Sequence, residues 1–156
     1  DGVRWDSENL DTVVSFNGLE HIEDHEGAIR NLCGILRRSQ AMGVRRLVSV
    51  VPAHPFAYGS IDRAYGHVRR YSLVEIGRIA RDVAPEARLT VRHFNLFGLF
   101  GWVVQGRIFR RTTFGRESVR LFEFLCPVLR PLDGRIHAIP GVRWGQSLLF
   151  VLEFPS

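Results

Sequence analysis

The feature that most constrains the fold is the stretch Asp11–Asp24, which reads DTVVSFNGLEHIED. Its apolar run stops abruptly at Asn17-Gly18 and opens into an acidic turn that contains a histidine. We interpret Thr12 to Phe16 as a buried strand whose carboxyl end carries polar groups. In a parallel open sheet, ligands bind at that end, because the crossover helices leave a crevice beyond the strand tips. The stretch therefore favours an open α/β sheet, and the polar turn after its first strand is a candidate place for a ligand.

A helix and a second strand follow at the spacing of a βαβ unit. Asp24 to Arg38 carries apolar residues at intervals of three and four, which indicates an amphipathic helix. Gly43 interrupts this pattern before Leu47 to Val51, a nearly continuous apolar run that is typical of a strand buried on both faces. Two strands joined in this way are expected to be parallel, with a right-handed crossover.

An irregular segment comes next. Ala53 to Tyr71 mixes four aromatic residues, two histidines and three arginines without a clear period, so we expect a long structured loop or lid. Loops of this length in compact domains are often functional. Periodicity returns at Ser72, which forms a capping-box pattern with Glu75 at the start of a helix that ends before Pro85.

The remainder of the chain contains two further strands and one further helix. The strands are predicted at Leu89 to Phe94 and Gln146 to Phe154, and the helix at Glu117 to Leu129. Pro127 lies near the end of this helix and must kink it or stop it. Asn95 to Arg111 is apolar and punctuated by glycine, and no internal boundary divides the chain into separate domains.

The charged residues exclude several kinds of chemistry. All 21 basic residues are arginine, and the 156-residue chain has a formal charge of +5. Without lysine there is no Schiff-base chemistry, no P-loop lysine and no Tyr/Lys pair of the short-chain dehydrogenase kind. Arginine instead offers fixed planar cations that suit carboxylate or phosphate. A basic balance alone reports on solubility and nonspecific attraction, so nucleic acid is disfavoured as a partner.

The cysteines and the hydropathy pattern predict a cytoplasmic protein. Cys33 and Cys126 lie far apart in apolar helical patterns, which favours reduced, buried thiols over a disulfide. We see no signal peptide, and the longest apolar stretch, Leu96 to Val104, is too short to span a bilayer, although it could touch a membrane surface.

The turn after the first strand is open to two readings. Asn17 and Gly18 could let the backbone approach a ligand, or they could form a tight turn that binds nothing. His21 and His25 stand four residues apart among carboxylates, as in a zinc motif, but the glutamate is at the wrong place for HExxH and no third ligand can be placed, so no metal is expected. The carboxylates are better explained as capping the following helix.

The end of the irregular segment holds the second concentration of polar chemistry. His67 could accept a proton near neutral pH, while Arg69 and Arg70 could hold an anion. The alternative has the arginines solvated, His67 bonded to backbone, and Tyr71 packed at the helix entry. For each arginine by itself the second reading is at least as good, whereas the grouping of His67 with Tyr58 and Asp62 favours the first.

Taken together, these fragments resemble the class I S-adenosylmethionine-dependent methyltransferases, specifically bacterial members that act on small molecules. Each fragment is weak alone, but their order and spacing run over nearly the whole chain. The fragments are Asp11–Val14, Asn17–Asp24, Val51–Ala53, Tyr58–Asp62, Gly66–Ser72, Phe94–Gly98 and Gly101-Trp102.

The resemblance implies a Rossmann-like α/β sheet, of which this chain supplies strands four to seven, the last two forming an antiparallel pair. It also implies S-adenosyl-L-methionine as cofactor and an in-line methyl transfer, with a small-molecule or glycan- or lipid-linked acceptor. His67 is the first candidate base and His21 the second. The implied cofactor residues are Asp1, Asn17, Gly18, Leu19, Glu20 and His21, and the implied acceptor residues are His54, Tyr58, Asp62, His67, Arg69, Arg70 and Tyr71.

The family's glycine-rich loop after the first strand and its acidic ribose-binding residue are not found in the sequence, and Ala41-Met42-Gly43 replaces its proline-glycine-glycine turn. We therefore expect a single partial methyltransferase domain: the end of the cofactor-binding part at 1–53, the lid or acceptor loop at 54–72, and the C-terminal helices and strand pair at 73–156. Such a sheet has an open edge, so a second copy, an upstream domain or another chain is an expected partner. A noncatalytic subunit and an arginine-rich nucleic-acid-binding module are the alternative functions.

Overall fold

The computed structural model describes residues 9–155, which fold into two compact units. Unit 1 contains residues 9–51, Ser72–Val91 and 149–155, and unit 2 contains Pro52–Tyr71 and Arg92–Leu148. Asp1, a predicted cofactor residue, lies outside the described residues. Among the helices of the described part, none is long and apolar enough to cross a membrane.

The described chain has four strands and five helices, with a single sheet in the order β1-β2-β4-β3. Short 3₁₀ turns follow β1 and β2, and α4 continues into a π-helical turn at Val104–Ile108. The strands are β1 Thr12–Phe16, β2 Arg45–Pro52, β3 Arg88–Phe94 and β4 Ser147–Phe154; the helices are α1 His25–Arg38, α2 Ser60–Ala64, α3 Leu73–Val83, α4 Leu96–Val103 and α5 Arg116–His137.

The predicted βαβ unit is confirmed. β1 and β2 are parallel, with Val14 opposite Val48, and the Asn17 N–H extends the ladder by donating to the Val50 carbonyl at 3.0 Å. The predicted closing strands, β3 and β4, are neighbours in the sheet. The fold is therefore α/β with an open, Rossmann-like sheet, as the sequence predicts.

The expectation that the first strand is buried is wrong. Val14 is 58% exposed and Phe16 is 60% exposed, and no residue of β1 is buried. The exposed residues Thr12, Val14 and Phe16 alternate along the strand and so share one face, which is left open to solvent, and among residues 9–155 β1 pairs with β2 alone. The apolar run of this strand thus belongs to an edge of the sheet.

Local capping signals place the helices of unit 1. The Asp24 carboxylate accepts from the Gly27 N–H at 2.9 Å at the start of α1, which confirms the predicted capping role. The Ser72 hydroxyl accepts from the Glu75 N–H at 3.1 Å and begins α3. Both helices bury apolar residues at helical spacing, namely Ile29, Cys33, Leu36, Ile76 and Ile79.

The cysteines are free thiols, as predicted, although Cys126 is only half-buried. Burial raises the pKa of Cys33 to about 11, more than the opposing charge of Arg37 lowers it. A thiol with so high a pKa is poorly reactive, because the thiolate is the nucleophilic form.

Helix α5 is longer than predicted, because it continues past Leu129 to His137 with Pro127 and Pro131 inside it. A proline removes one helical hydrogen bond, but a carbonyl that faces water can be solvated, and none of the residues of this fully described helix is buried. The Asp133 carboxylate accepts from the backbone N–H groups of Asn95 at 3.1 Å and Leu96 at 2.7 Å, which fixes α5 to the start of α4 within unit 2.

Candidate functional site

The first predicted group of site residues forms the turn after β1, in unit 1. Asn17 is exposed and has a left-handed backbone with φ 48°. The next three residues form the 3₁₀ turn Leu19–His21, in which the side chains of Leu19 and Glu20 are buried and His21 is exposed. A ligand at this turn would therefore meet backbone groups, Asn17 and His21 rather than the side chain of Leu19.

Gly18 is not required by the packing of unit 1. Its φ is −127°, which any residue can adopt, and an added Cβ would meet only the Ser15 hydroxyl oxygen, at an ordinary contact distance of 3.7 Å. Space beside the backbone thus exists at the carboxyl end of a parallel strand, where open α/β sheets bind ligands. The residues present fit the approach of a cofactor to this turn.

The second predicted group, in unit 2, centres on the fully buried carboxylate of Asp62. Its Oδ1 accepts from Arg70 Nε at 2.7 Å and lies 3.0 Å from His67 Nδ1. Its Oδ2 accepts from the Gly59 N–H at 2.8 Å and from Trp102 Nε1 at 2.9 Å. Two partners on each oxygen satisfy the carboxylate in its ionised form.

Burial alone would raise the pKa of Asp62. The hydrogen bonds from His67 and Trp102 and the charge of Arg70 outweigh that penalty and hold the pKa at about 2. Asp62 is therefore ionised at neutral pH, and it acts as a fixed acceptor rather than as a proton donor.

The side chains of Arg70 and His67 both pack on the indole ring of Trp102. The guanidinium of Arg70 lies 4.8 Å from the centre of the Trp102 ring, and the His67 ring stacks on that ring at 6.2 Å with an interplanar angle of 4°. Arg70 is 3% exposed and also donates to the Ala53 carbonyl at 2.9 Å. Arg70 is thus an internal ion-pair partner, neither solvated nor pointing outward to clamp an anion.

Close backbone contact positions Asp62. A Cβ on Gly59 would lie 2.6 Å from the Gly106 carbonyl oxygen, so only glycine permits this approach of α2 to the π-helical turn. The Ser60 hydroxyl donates to the same carbonyl at 2.7 Å. Because this turn continues α4, which carries Trp102, the contact holds the indole beside the carboxylate.

The other predicted acceptor residues surround this group in different ways. Tyr58 donates its hydroxyl to the His67 carbonyl at 2.7 Å, which fixes the backbone of the candidate base. Tyr71 is fully buried and bridges to Ala53, so its side chain belongs to the core. Arg69 is half-buried. We therefore place Tyr58 in support of His67, and Tyr71 in packing at the helix entry.

His54 belongs to a separate aromatic group in unit 2. Its ring stacks on His93 at 5.1 Å and contacts Trp144 at 5.3 Å and Phe56 at 5.2 Å. Burial, and secondarily the charge of Arg70, lowers the pKa of His54. Burial likewise lowers the pKa of His93 to about 4, with a further contribution from His54. The His93 imidazole is thus neutral at neutral pH.

A cavity of about 580 Å³ lies within unit 2, between α4 and α5. Most of its wall is aromatic or aliphatic, and Trp102 is shared with the Asp62 group. The buried Oε1 of Gln105 has no hydrogen-bond partner among the described residues. The wall is formed by Asn95, Phe97, Gly98, Phe100, Gly101, Trp102, Gln105, Phe114, Ser118, Val119, Leu121, Phe122, Leu125, Leu129 and Gln146.

Trp102, His93 and Gln105 were not predicted as site residues. The Gly101-Trp102 dipeptide marks the tryptophan as part of the family resemblance, but nothing local connects it with Asp62, 40 residues earlier. Of the predicted set, unit 2 brings Asp62, His67 and Arg70 together, and places His54 in a different group. The predicted cofactor residues described here all belong to unit 1.

No family model and no curated protein sequence matches the chain. Among solved structures it is similar to a SAM-dependent methyltransferase from Archaeoglobus fulgidus, with a TM-score of 0.46 and 13% identity over 94% of this chain and 60% of that one. It is also similar to Haemonchus contortus phosphoethanolamine N-methyltransferase 2 in complex with S-adenosyl-L-methionine, with a TM-score of 0.45 and 13% identity over 94% of this chain and 33% of that one. In both comparisons the chain spans less than two thirds of the solved structure.

Proposed function

We propose that the chain is the C-terminal part of an S-adenosyl-L-methionine-dependent methyltransferase that acts on a small-molecule or glycan- or lipid-linked acceptor. When bound, the cofactor would supply an electrophilic methyl group. Asn17, Gly18 and His21 would hold it at the turn after β1, through backbone groups and polar side chains. Support comes from the ordered motifs of the sequence, the parallel βαβ unit, and the unfilled space beside Gly18.

The observation that carries this proposal is the contact between Asp62 and His67. A buried, ionised carboxylate 3.0 Å from Nδ1 favours the tautomer with the proton on that nitrogen. The lone pair then lies on Nε2, which is the arrangement a general base requires. His67 would remove a proton from the acceptor, while Asp62 orients the ring and stabilises the imidazolium that forms.

The cavity of unit 2 would hold the apolar part of the acceptor. Its wall combines aromatic side chains with a few polar groups, as is typical of small-molecule sites. The unsatisfied Gln105 amide oxygen could accept a hydrogen bond from a hydroxyl or amine of the acceptor. Trp102, which lines the cavity and donates to Asp62, would then be the residue common to the acceptor site and the Asp62 group.

The test uses S-adenosylmethionine with a labelled methyl group, incubated with the chain and with fractions of small molecules and lipids. Label should enter one fraction, and His67→Ala should lower that transfer at least about 100-fold, the usual share of a general base. Cofactor affinity should change little. If His67→Ala transfers label at the original rate, His67 is not the base. A longer chain with additional upstream residues serves as the comparison if this chain does not bind cofactor.

A second candidate function is a noncatalytic subunit that completes its sheet with a partner chain. The exposed apolar residues of β1, Val14 and Phe16, favour it, because an apolar edge strand is a template for pairing. Under this alternative the chain would associate through β1 and would neither bind S-adenosylmethionine nor transfer label.

A further inference from the structure

Helix α5 presents a row of apolar side chains to solvent. This row, the outer stripe, follows spacings of three and four residues and therefore occupies one face of the helix. Its members are Leu121, 60% exposed, Phe124, 80%, Leu125, 38%, Val128, 67%, and Leu132, 43%. None of the 22 residues of the helix, all of which are described, is buried.

The other side of α5 attaches the helix to unit 2. Phe122 and Leu129 help to line the cavity, as do Leu121 and Leu125 at the margin of the outer stripe, and Asp133 accepts from the first backbone N–H groups of α4. The helix is therefore fixed along one side, while Phe124, Val128 and Leu132 of the outer stripe lie outside the cavity wall and are exposed. Exposed apolar patches of this extent usually mark an interaction surface.

The net charge of the chain is concentrated around the same helix. Residues 107–143 contain eight arginines and three acidic residues, a formal charge of +5, whereas the rest of the chain contains thirteen of each and is neutral. Helix α5 itself carries four arginines, three of which, Arg116, Arg120 and Arg130, are exposed beside the stripe, and three acidic residues, a formal charge of +1. The flanking segments 107–115 and 138–143 carry the other +4. An apolar stripe flanked by long cationic side chains is typical of a helix that lies in a membrane interface.

We propose that the outer stripe and its arginines dock unit 2 on an anionic lipid surface, with α5 in the plane of the interface. A second copy is a poorer occupant, because the two +5 regions would face each other. A nucleic acid would pair with the arginines but leave the aliphatic stripe in water. A lipid surface satisfies both features, since the stripe enters the acyl boundary while the guanidinium groups stay among the phosphates. The inference does not depend on methyl transfer.

The test is co-sedimentation of the chain with vesicles of phosphatidylcholine, with and without phosphatidylglycerol. The chain should bind the anionic vesicles more tightly, and added salt should weaken that binding. Changing Arg116, Arg120 and Arg130 together to Gln should lower the partition coefficient on the order of 100-fold. Changing Phe124, Val128 and Leu132 together to Ser should lower it at least about tenfold.

Matched controls come from exposed positions of unit 1. Met42→Ser with Val74→Ser removes side chains that are 97% and 80% exposed, and a triple change of Arg30, Arg81 and Arg88 to Gln removes the same charge as the α5 variant. Both control variants should bind vesicles as the original chain does. The proposal is overturned if the chain binds neither kind of vesicle, or if the stripe variant binds as well as the original. A dimer in sedimentation velocity that the stripe variant abolishes, without vesicle binding, would assign the surface to a second copy instead.

Discussion

Asp62 is the residue on which the polar contacts of unit 2 converge. Its two carboxylate oxygens make hydrogen-bond contacts with Arg70, His67, Trp102 and the backbone of Gly59. None of its surface is exposed. A single carboxylate thus orients an imidazole, neutralises a buried guanidinium and fixes the indole on which both rest. Such a network stabilises only when it is complete, because a buried charge without its counterion is costly.

We therefore expect Asp62→Asn to destabilise the chain by about 3 to 5 kcal/mol, since the buried Arg70 would lose its counterion. Urea unfolding measures the change. Asp82→Asn is the matched control, because Asp82 makes an exposed ion pair with Arg78, and it should change the stability by less than about 1 kcal/mol. If the two variants are equally stable, the Asp62 group is not a structural centre of unit 2.

The lowered pKa of His93 predicts that the folded chain loses stability in mild acid. Its pKa in the folded chain is about 4, below the ordinary 6.5, because of burial and the nearby His54, His137 and Arg143. Between pH 4 and pH 6.5 the unfolded chain binds more protons at His93 than the folded chain does. The contribution of His93 to the free energy of unfolding is therefore complete above pH about 6.5 and is lost as the pH drops toward 4.

Unfolding free energies measured between pH 7 and pH 4 check this prediction. The original chain should lose on the order of 2 to 3 kcal/mol through His93, and His93→Phe should flatten the curve over the same range. A curve of unchanged slope in His93→Phe would show that His93 does not carry the effect.

At the scale of elements, β1 is the least covered strand. It has one neighbouring strand among the described residues, and its apolar side chains Val14 and Phe16 remain exposed. Strands of this kind are prone to pair with other chains. The sheet edge is thus where association is expected, whatever the partner.

Val14→Lys should reduce concentration-dependent association, because a charge on an edge strand opposes pairing. The fold should persist, since Val14 is 58% exposed. Sedimentation velocity over a range of concentrations measures the effect, and Val74→Lys, at a position 80% exposed on helix α3, is the matched control. Equal association in both variants would exclude β1 as the contact.

Several elements are predictable because their signals are local. The caps at Asp24 and Ser72, together with the apolar periodicity that follows each cap, place α1 and α3 to within one or two residues. The bounds of β1 are predicted to the residue. Exposure of β1 is not predictable, because it depends on which strands pair beside it. Pro127 does not stop α5 for a related reason: solvent can satisfy carbonyls that a buried helix would leave unpaired.

The site is only partly predictable. The sequence groups Asp62 and His67 with Arg70 because all three lie in one irregular segment. It cannot bring in Trp102, His93 or Gln105, whose contacts with that segment or with the cavity arise from the fold. Nor does it distinguish a solvated arginine from the buried Arg70, because burial depends on tertiary contacts.

At the scale of the whole molecule, the two proposed groups of residues belong to different units. Those proposed for the cofactor belong to unit 1, and those proposed for the acceptor and the proton belong to unit 2, which also carries the exposed helix and most of the arginines. The central claim is that the turn after β1 binds S-adenosylmethionine. Gly18 tests it most directly, because its surroundings in unit 1 accept a methyl group without strain.

Isothermal titration with S-adenosylmethionine is the decisive measurement, on the original chain, Gly18→Ala and Gly77→Ala. Gly77 lies inside α3, and an added Cβ there would meet only the Arg81 guanidinium at 3.6 Å, so Gly77→Ala should bind like the original. The account predicts binding that Gly18→Ala weakens at least about tenfold, by crowding the ligand, while unfolding free energy is unchanged. A folded chain that produces no binding heat, alone and with additional upstream residues, or a Gly18→Ala variant of equal affinity, would contradict it.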